Sequence, residues 1–204
     1  VMIASALVVG AAARRSAPPP PSTTTTTEPA VAPAARPLDP ESRVRVPVTV
    51  STYDAGGDGE ENDDLAPFAV DDVVDTDKTW RTECYRGEFS AAGKPGVVLI
   101  LTAASVVDTV GLDVITTHPG WSATVYVSSD EGERMRTAPL GRWGMPVQHI
   151  DGSRTSLEVS LPTVRGRSVL ILFDALGGVP ADDCFGSASS YRHIEVVEVR
   201  FYAR

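Results

Sequence analysis

The stretch TVGLDVITTHPGWSATVYVSS, residues 109–129, decides the fold class of this chain. It contains two runs rich in β-branched residues, 109–117 and 122–129, on either side of His118-Pro119-Gly120. Runs of this length and composition predict β-strands, and Pro followed by Gly predicts a turn. The stretch therefore predicts two strands with a turn between them.

Five further runs of the same kind lie between residue 44 and the C-terminal end. They are VRVPVTV (44–50), GVVLILT (96–102), SLEVSL (156–161), SVLILF (168–173) and IEVVEVRFY (194–202). Clusters of Gly, Pro and Asp separate the runs, and few helical patterns occur between them. Seven short strands with this spacing predict an all-β domain, a β-sandwich or jelly roll, over residues 44–204.

The first 43 residues have a different composition. Residues 1–15 are small and apolar up to a pair of arginines, which fits a partial transmembrane helix or a signal or anchor segment. Residues 16–43 are rich in Pro, Thr and Ala, which predicts a disordered tether of polyproline type. We therefore expect an extracytoplasmic protein of the cell envelope, anchored to the membrane through the N-terminal segment only.

Charge and motifs exclude several function classes. Eighteen Lys and Arg against 27 Asp and Glu give a net charge of -9, which argues against nucleic acid as a partner. No run of eighteen apolar residues is present, which excludes a membrane protein with several spans. No nucleophile elbow, zinc-protease helix or phosphate-binding glycine loop is present either. The sequence predicts a protein that is not an enzyme and that binds cations, sugars or proteins.

The chain has two cysteines, Cys84 and Cys184. An even number of cysteines in a chain that we expect to be exported predicts a disulfide between them. The alternative is two unrelated buried thiols.

Eleven acidic side chains lie between Asp54 and Glu83. The segment is not an EF-hand loop, because a loop that starts at Asp54 places Leu65 where the bidentate Glu is required. Its carboxylates are oxygen donors of the type that Ca²⁺ accepts in irregular loops, or they form a solvated acidic surface with no bound ion.

Residues 50–203 carry an ordered series of short motifs. They are GDGE (57–60), AVD (69–71), TWRT (79–82), KPGV (94–97), PGW (119–121), GR (166–167) and EV (198–199). In this order the motifs resemble the discoidin-like, galactose-binding-like β-sandwiches, which include coagulation-factor C-type domains and many carbohydrate-binding modules. More narrowly, the chain resembles the C-terminal extracytoplasmic domain of actinobacterial membrane proteins with lipid-flippase-like or protein-kinase-like parts.

The resemblance implies a structural Ca²⁺ site. In the discoidin-like group, the ligands come from an acidic stretch that ends in Trp and from a Glu on the last strand. The corresponding stretch here, DTDKTW (75–80), has no residue between Thr and Trp, so the ligand positions are displaced. The implied candidates are Asp71 or Asp75, together with Asp77, Thr79 and Glu198.

The three tryptophans have different sequence contexts. Trp121 follows a Pro-Gly turn and opens a predicted strand, and Trp80 is interpreted as a strand-edge tryptophan. Such side chains pack across the interior of a sandwich, which predicts that both lie in the core. Trp143 lies between glycines in a predicted loop, next to Arg142. Because aromatic rings stack on sugars and guanidinium groups hydrogen-bond hydroxyls, Arg142 and Trp143 are the candidate ligand contacts. The alternative for Trp143 is a loop side chain that folds onto the sandwich.

Together these features predict a non-catalytic extracytoplasmic module that binds carbohydrate of the cell envelope. The alternative is a protein–protein interaction domain or a structural cap of a larger envelope protein.

Overall fold

The computed structural model describes residues 43–59, 61–136, 140–177 and 191–204. The predicted apolar segment 1–15 and all of the predicted tether except Arg43 lie outside these ranges, so both stay predictions. No helix in the described ranges is long and apolar enough to cross a membrane.

The described residues form short and long β-strands with little helix. The strands are β1 (Val44–Arg45), β2 (Val48–Ala55), β3 (Trp80–Arg81), β4 (Tyr85–Arg86), β5 (Gly96–Thr116), β6 (Trp121–Ser128), β7 (Gln148–Gly152), β8 (Ser156–Ala175), β9 (Tyr191–Arg192) and β10 (Glu195–Ala203). A short helix, α1 (Gly132–Arg136), and single 3₁₀ turns at 66–70, 89–92 and 140–142 connect some of them.

Two long antiparallel strands, β5 and β8, build both layers of the fold. Their ladder is interrupted between Thr102 and Val107, and each strand changes neighbours there. The first half of β5 pairs with β2, and its second half pairs with β10. The second half of β8 pairs with β6, which in turn pairs with β7. The two halves face each other, so the predicted all-β sandwich is confirmed.

The main core lies between these layers. Alternate residues of β5, β6, β8 and β10 fill it together with Trp80 and Trp121. The rings of both tryptophans lie within 6 Å of the Phe173 ring, at 5.9 and 5.5 Å between centroids. The predicted core positions of Trp80 and Trp121 are confirmed.

A second apolar cluster covers the outer face of the β2–β5–β8–β6 layer. Val98, Ile100, Leu170 and Leu172 point outward from the sheet and pack under Trp143. Residues 96–102 and 168–173 therefore read as continuous apolar runs because both faces of these strand halves are covered.

The strand ends define two ends of the sandwich. At the proximal end, Val44 pairs with Ala203, and β5 and β8 cross between the layers. Because β5 and β8 turn from one layer to the other, both ends of each strand lie at the distal end. There β2 stops at Ala55, opposite Gly96. The segments 82–95, 117–120 and 153–155 lie at the distal end.

Candidate functional site

A two-stranded ribbon at the distal end presents an exposed arginine and a tyrosine. In this ribbon β4 pairs with β9, so that Arg86 lies opposite Tyr191. The Arg86 guanidinium lies 5.4 Å from the centroid of the Tyr191 ring and donates a hydrogen bond of 3.2 Å to its Oη. The pair forms a cation–π stack on the surface of the molecule.

The other arginine of the ribbon fixes it to the sandwich. Arg192 Nη1 lies 2.7 Å from Glu88 Oε1 and donates a hydrogen bond of 2.9 Å to the carbonyl of Gly177, just after β8. Glu88 Oε2 accepts the N–H of Leu176 at 2.8 Å. These contacts hold the ribbon on a rigid base, which a binding site requires.

A close backbone approach brings the turn after β5 to the same end. Gly177 has φ of +78°, and a Cβ there would lie 2.8 Å from the carbonyl of Gly120. Only glycine permits this approach. The exposed side chain of His118 thus lies at the same end as the ribbon.

His118 is one of four side chains that hydrogen bonds link in series: His118, Thr117, Glu195 and His193. The Thr117 hydroxyl donates to Glu195 Oε2 at 2.7 Å and lies 2.9 Å from His118 Nδ1. Because its one proton goes to the carboxylate, the hydroxyl accepts from Nδ1–H of the imidazole. His193 Nε2 lies 3.2 Å from Glu195 Oε1, and this hydrogen bond lowers the pKa of Glu195 to about 2. Glu195 is therefore ionised throughout the physiological range.

Arg86, His118 and Tyr191 offer hydrogen-bonding groups and an aromatic ring at the same end of the sandwich. A guanidinium offers several N–H donors, an imidazole offers a donor and an acceptor, and a phenol ring offers a flat face. Such groups on a rigid rim hydrogen-bond the hydroxyls of a sugar and stack on its ring. The distal end therefore provides the elements of a carbohydrate-binding site.

The expectation that Trp143 presents its ring to a ligand is wrong. Trp143 is only 1% exposed, with its ring edge-on to Tyr53 and Tyr126 at 6.3 and 5.6 Å between centroids. The outward-facing Ile100 and Leu170 need an apolar cover, and the loop supplies this indole for it. Arg142 is exposed, and its contact with a ligand stays a prediction.

The predicted calcium ligands do not form one cluster. Glu198 is fully buried; its Oε1 accepts Arg45 Nη2 at 3.1 Å and its Oε2 accepts the N–H of Asp72 at 3.1 Å. Burial raises the pKa of Glu198 to about 7, although Arg45 and Arg200 act in the opposite direction.

Two carboxylates of the acidic segment, Asp71 and Asp75, accept hydrogen bonds from backbone N–H groups two residues further along the chain. Asp71 accepts the N–H of Val73 at 2.9 Å, and Asp75 accepts the N–H of Asp77 at 3.0 Å, while Thr79 is half-buried just before β3. In the described ranges no group of three or more His, Cys, Asp or Glu could hold a metal ion. As arranged, these residues do not fit a calcium ion at Glu198, because a guanidinium already neutralises that carboxylate.

Cys84 lies in the exposed connection between β3 and β4. Its predicted partner Cys184 lies outside the described residues, so the disulfide stays a prediction.

Sequence reasoning missed the ribbon. Arg86, Tyr191, Arg192 and His118 were not among the candidate ligand contacts. A signal was nevertheless present, because both strands of the ribbon read Tyr-Arg, at 85–86 and at 191–192. Two-residue strands carry no periodicity, so the pattern did not predict that they pair.

Comparison with known proteins gives similar structures only. No family model matches the chain, and no curated protein matches it. An F5/8 type C domain from Bacteroides fragilis has a TM-score of 0.49 and 16% identity, over 81% of this chain and 99% of that one. Chitosan-binding module 2 of a Paenibacillus chitosanase/glucanase, in complex with chitotriose, has a TM-score of 0.49 and 13% identity, over 78% and 98%.

Larger proteins are also similar over one of their parts. Truncated AlyQ with CBM32 and alginate lyase domains has a TM-score of 0.47 and 10% identity, over 78% of this chain. This chain spans 33% of that protein. The relation to actinobacterial membrane proteins stays a prediction.

Proposed function

We propose that residues 44–204 form a non-catalytic carbohydrate-binding module whose ligand binds at the distal end. The observation that carries this proposal is the stack of the exposed Arg86 on the half-buried Tyr191. A guanidinium has five N–H donors, and Tyr191 Oη takes one of them, which leaves donors for the hydroxyls of a sugar. Arg192 follows Tyr191 on β9, and His118 lies at the same end of the sandwich.

The position of the chain ends favours the same surface. Arg43, where the predicted tether joins the domain, precedes β1 at the proximal end. In this proposal residues 1–15 are the membrane anchor and residues 16–43 the tether, which joins the domain at the end opposite to the ribbon. The module is then extracytoplasmic and meets polysaccharide of the envelope.

Two carboxylates at the distal end, Glu88 and Glu195, have binding rather than catalytic surroundings. Glu88 is held by Arg192 and a backbone N–H, and Glu195 by His193 and Thr117. A general acid needs a raised pKa, whereas that of Glu195 is lowered. This difference argues against Glu195 as the general acid of a glycosidase.

Calorimetry against a panel of envelope oligosaccharides tests the proposal. We expect Arg86→Ala and Tyr191→Ala each to weaken binding by about tenfold or more while the fold is retained. Arg165→Ala is the matched control, because Arg165 is an exposed arginine at the proximal end. Equal binding by wild type and Arg86→Ala would refute the site.

The position in the cell needs a separate experiment. We expect protease added to intact cells to cleave the module, because the tether places it outside the membrane. Protection in intact cells and cleavage after lysis would contradict this. Capture of one envelope protein by the module, with no glycan bound, would favour the interaction domain instead.

A further inference from the structure

A lysine and an aspartate meet under the ribbon in a closed environment. Lys94 Nζ lies 2.6 Å from Asp54 Oδ2, and the two side chains are 16% and 1% exposed. Asp54 Oδ1 is buried and accepts no hydrogen bond from any of the described residues. A buried carboxylate oxygen without a donor is costly, so conversion of this carboxylate into an uncharged group would lower the cost of its burial.

The backbone holds both residues in place. Asp54 is the last residue but one of β2, and it pairs with Val97 at the start of β5. Lys94 follows the 3₁₀ turn 89–92, which ends at Gly93 in the left-handed region, and its N–H bonds the carbonyl of Phe89 at 3.0 Å. Pro95 restricts the backbone on the other side. The backbone on both sides of the contact is therefore held in place, and the amine reaches the carboxylate from it.

The backbone at Gly57 covers the pair. A Cβ at this position would overlap Asp54 Oδ2 and would lie 2.6 Å from Lys94 Nζ. Glycine thus allows the chain to lie directly over the contact and to limit the access of water.

A second buried carboxyl is connected to the amine through one hydroxyl. Lys94 Nζ donates to Tyr85 Oη at 3.4 Å, and Tyr85 Oη donates to Glu61 Oε2 at 2.7 Å. Glu61 is fully buried, and this burial raises the pKa of its carboxyl to about 7. A carboxyl with this pKa both accepts and returns a proton near neutral pH.

From this geometry we infer that Lys94 and Asp54 join in an intramolecular amide bond. The Nζ–Cγ bond forms and the bond between Cγ and one carboxylate oxygen breaks. The ammonium loses two protons, and both leave on that oxygen as one molecule of water. The chain through Tyr85 to Glu61 moves the proton that frees the amine. No oxidant, reductant or cofactor is required.

The bond would tie the end of β2 to the start of β5. It would close a loop over residues 54–94, which contains the acidic segment and β4 of the ribbon. A cross-link of this kind restricts the unfolded chain as a disulfide does, and it persists under reducing conditions. We expect it to raise the unfolding temperature by several degrees.

Intact mass spectrometry of the reduced full chain tests the inference. After incubation at neutral pH, we expect wild type to be about 18 Da lighter than its sequence, the mass of one water. Lys94→Arg keeps the positive charge and should show the full mass. The chain has one other lysine, so Lys78→Arg is the matched control and should keep the loss.

A tryptic digest locates the bond. Trypsin leaves Lys94 uncut in either case because Pro95 follows it, so the evidence is a branched peptide that joins 46–78 to 87–134. Glu61→Gln should stop or greatly slow the loss while circular dichroism shows an intact fold. A wild-type chain at full mass, or a loss that persists in Lys94→Arg, would overturn the inference whether or not the variants fold.

Discussion

Arg45 on β1 donates a hydrogen bond of 3.1 Å to the carboxylate of Glu198 on β10, which is completely buried. The guanidinium also pairs with Asp72 in the connection that follows the 3₁₀ turn 66–70. One arginine thus neutralises a buried charge and joins the first strand, the last strand and the acidic segment.

Removal of this arginine is expected to destabilise the domain. In Arg45→Ala, the Glu198 carboxylate keeps Arg200 Nε at 3.7 Å but loses its hydrogen-bonded cation. Breaking a buried pair is costly, but Arg45 is one third exposed, so we expect a loss of about 1–3 kcal/mol in the free energy of unfolding. Urea titration measures it, with Arg165→Ala as the control. A change below about 0.5 kcal/mol would show that the pair contributes little.

Calcium addition tests the metal site that the sequence resemblance implies. Because Arg45 already neutralises Glu198, we expect the unfolding temperature of wild type to be the same in calcium and in chelator. A ligand that binds only the folded state would raise it. A calcium-dependent rise that disappears in Glu198→Gln would contradict the expectation and establish the predicted site.

Trp143 should matter for stability and not directly for binding. Truncation of a buried aromatic side chain costs about 3–5 kcal/mol, so we expect Trp143→Ala to lower the unfolding free energy by this amount. Arg142→Ala should change it by less than about 0.5 kcal/mol, because its side chain is exposed. At a temperature where Trp143→Ala is folded, its affinity for the ligand should equal that of wild type; a specific loss of affinity would restore the sequence prediction.

The lowered pKa of Glu195 predicts how the stability of the domain depends on pH under acidic conditions. Its pKa is lowered from 4.5 to about 2 in the folded state, so its contribution is complete above pH 4.5 and is lost as the pH falls through 2. This contribution is about 3 kcal/mol at most. Unfolding between pH 5 and 2 should therefore depend less on pH in Glu195→Gln than in wild type. Glu158→Gln, at an exposed carboxylate, should follow wild type.

The predicted disulfide has a direct chemical test. If Cys84 and Cys184 pair, the exported protein is about 2 Da lighter before reduction than after it, and alkylation modifies neither cysteine until a reductant is added. Two cysteines that react in the native exported protein would refute the pairing.

The strands show where sequence patterns suffice and where they do not. Residues 96–102 and 109–117 were predicted as separate strands but belong to β5, because residues 103–108 contain no Gly or Pro and continue the extended backbone. Likewise residues 156–161 and 168–173 were predicted as separate strands but belong to β8, which runs through Pro162 and Gly166. At both places the chain crosses from one layer to the other, and this depends on packing rather than on local propensity.

The sequence by itself determined the all-β class and the core positions of Trp80 and Trp121, because alternating and continuous apolar runs are local properties of the chain. The two-residue strand β3 that carries Trp80 was not predicted. Only the tertiary structure decided which polar side chains meet. Arg86 and Tyr191 are 105 residues apart, and Asp54 and Lys94 are 40 apart. Their contacts arise from strand pairing and from a glycine-lined approach, which depend on the order of strands in the sheet and leave no local signal.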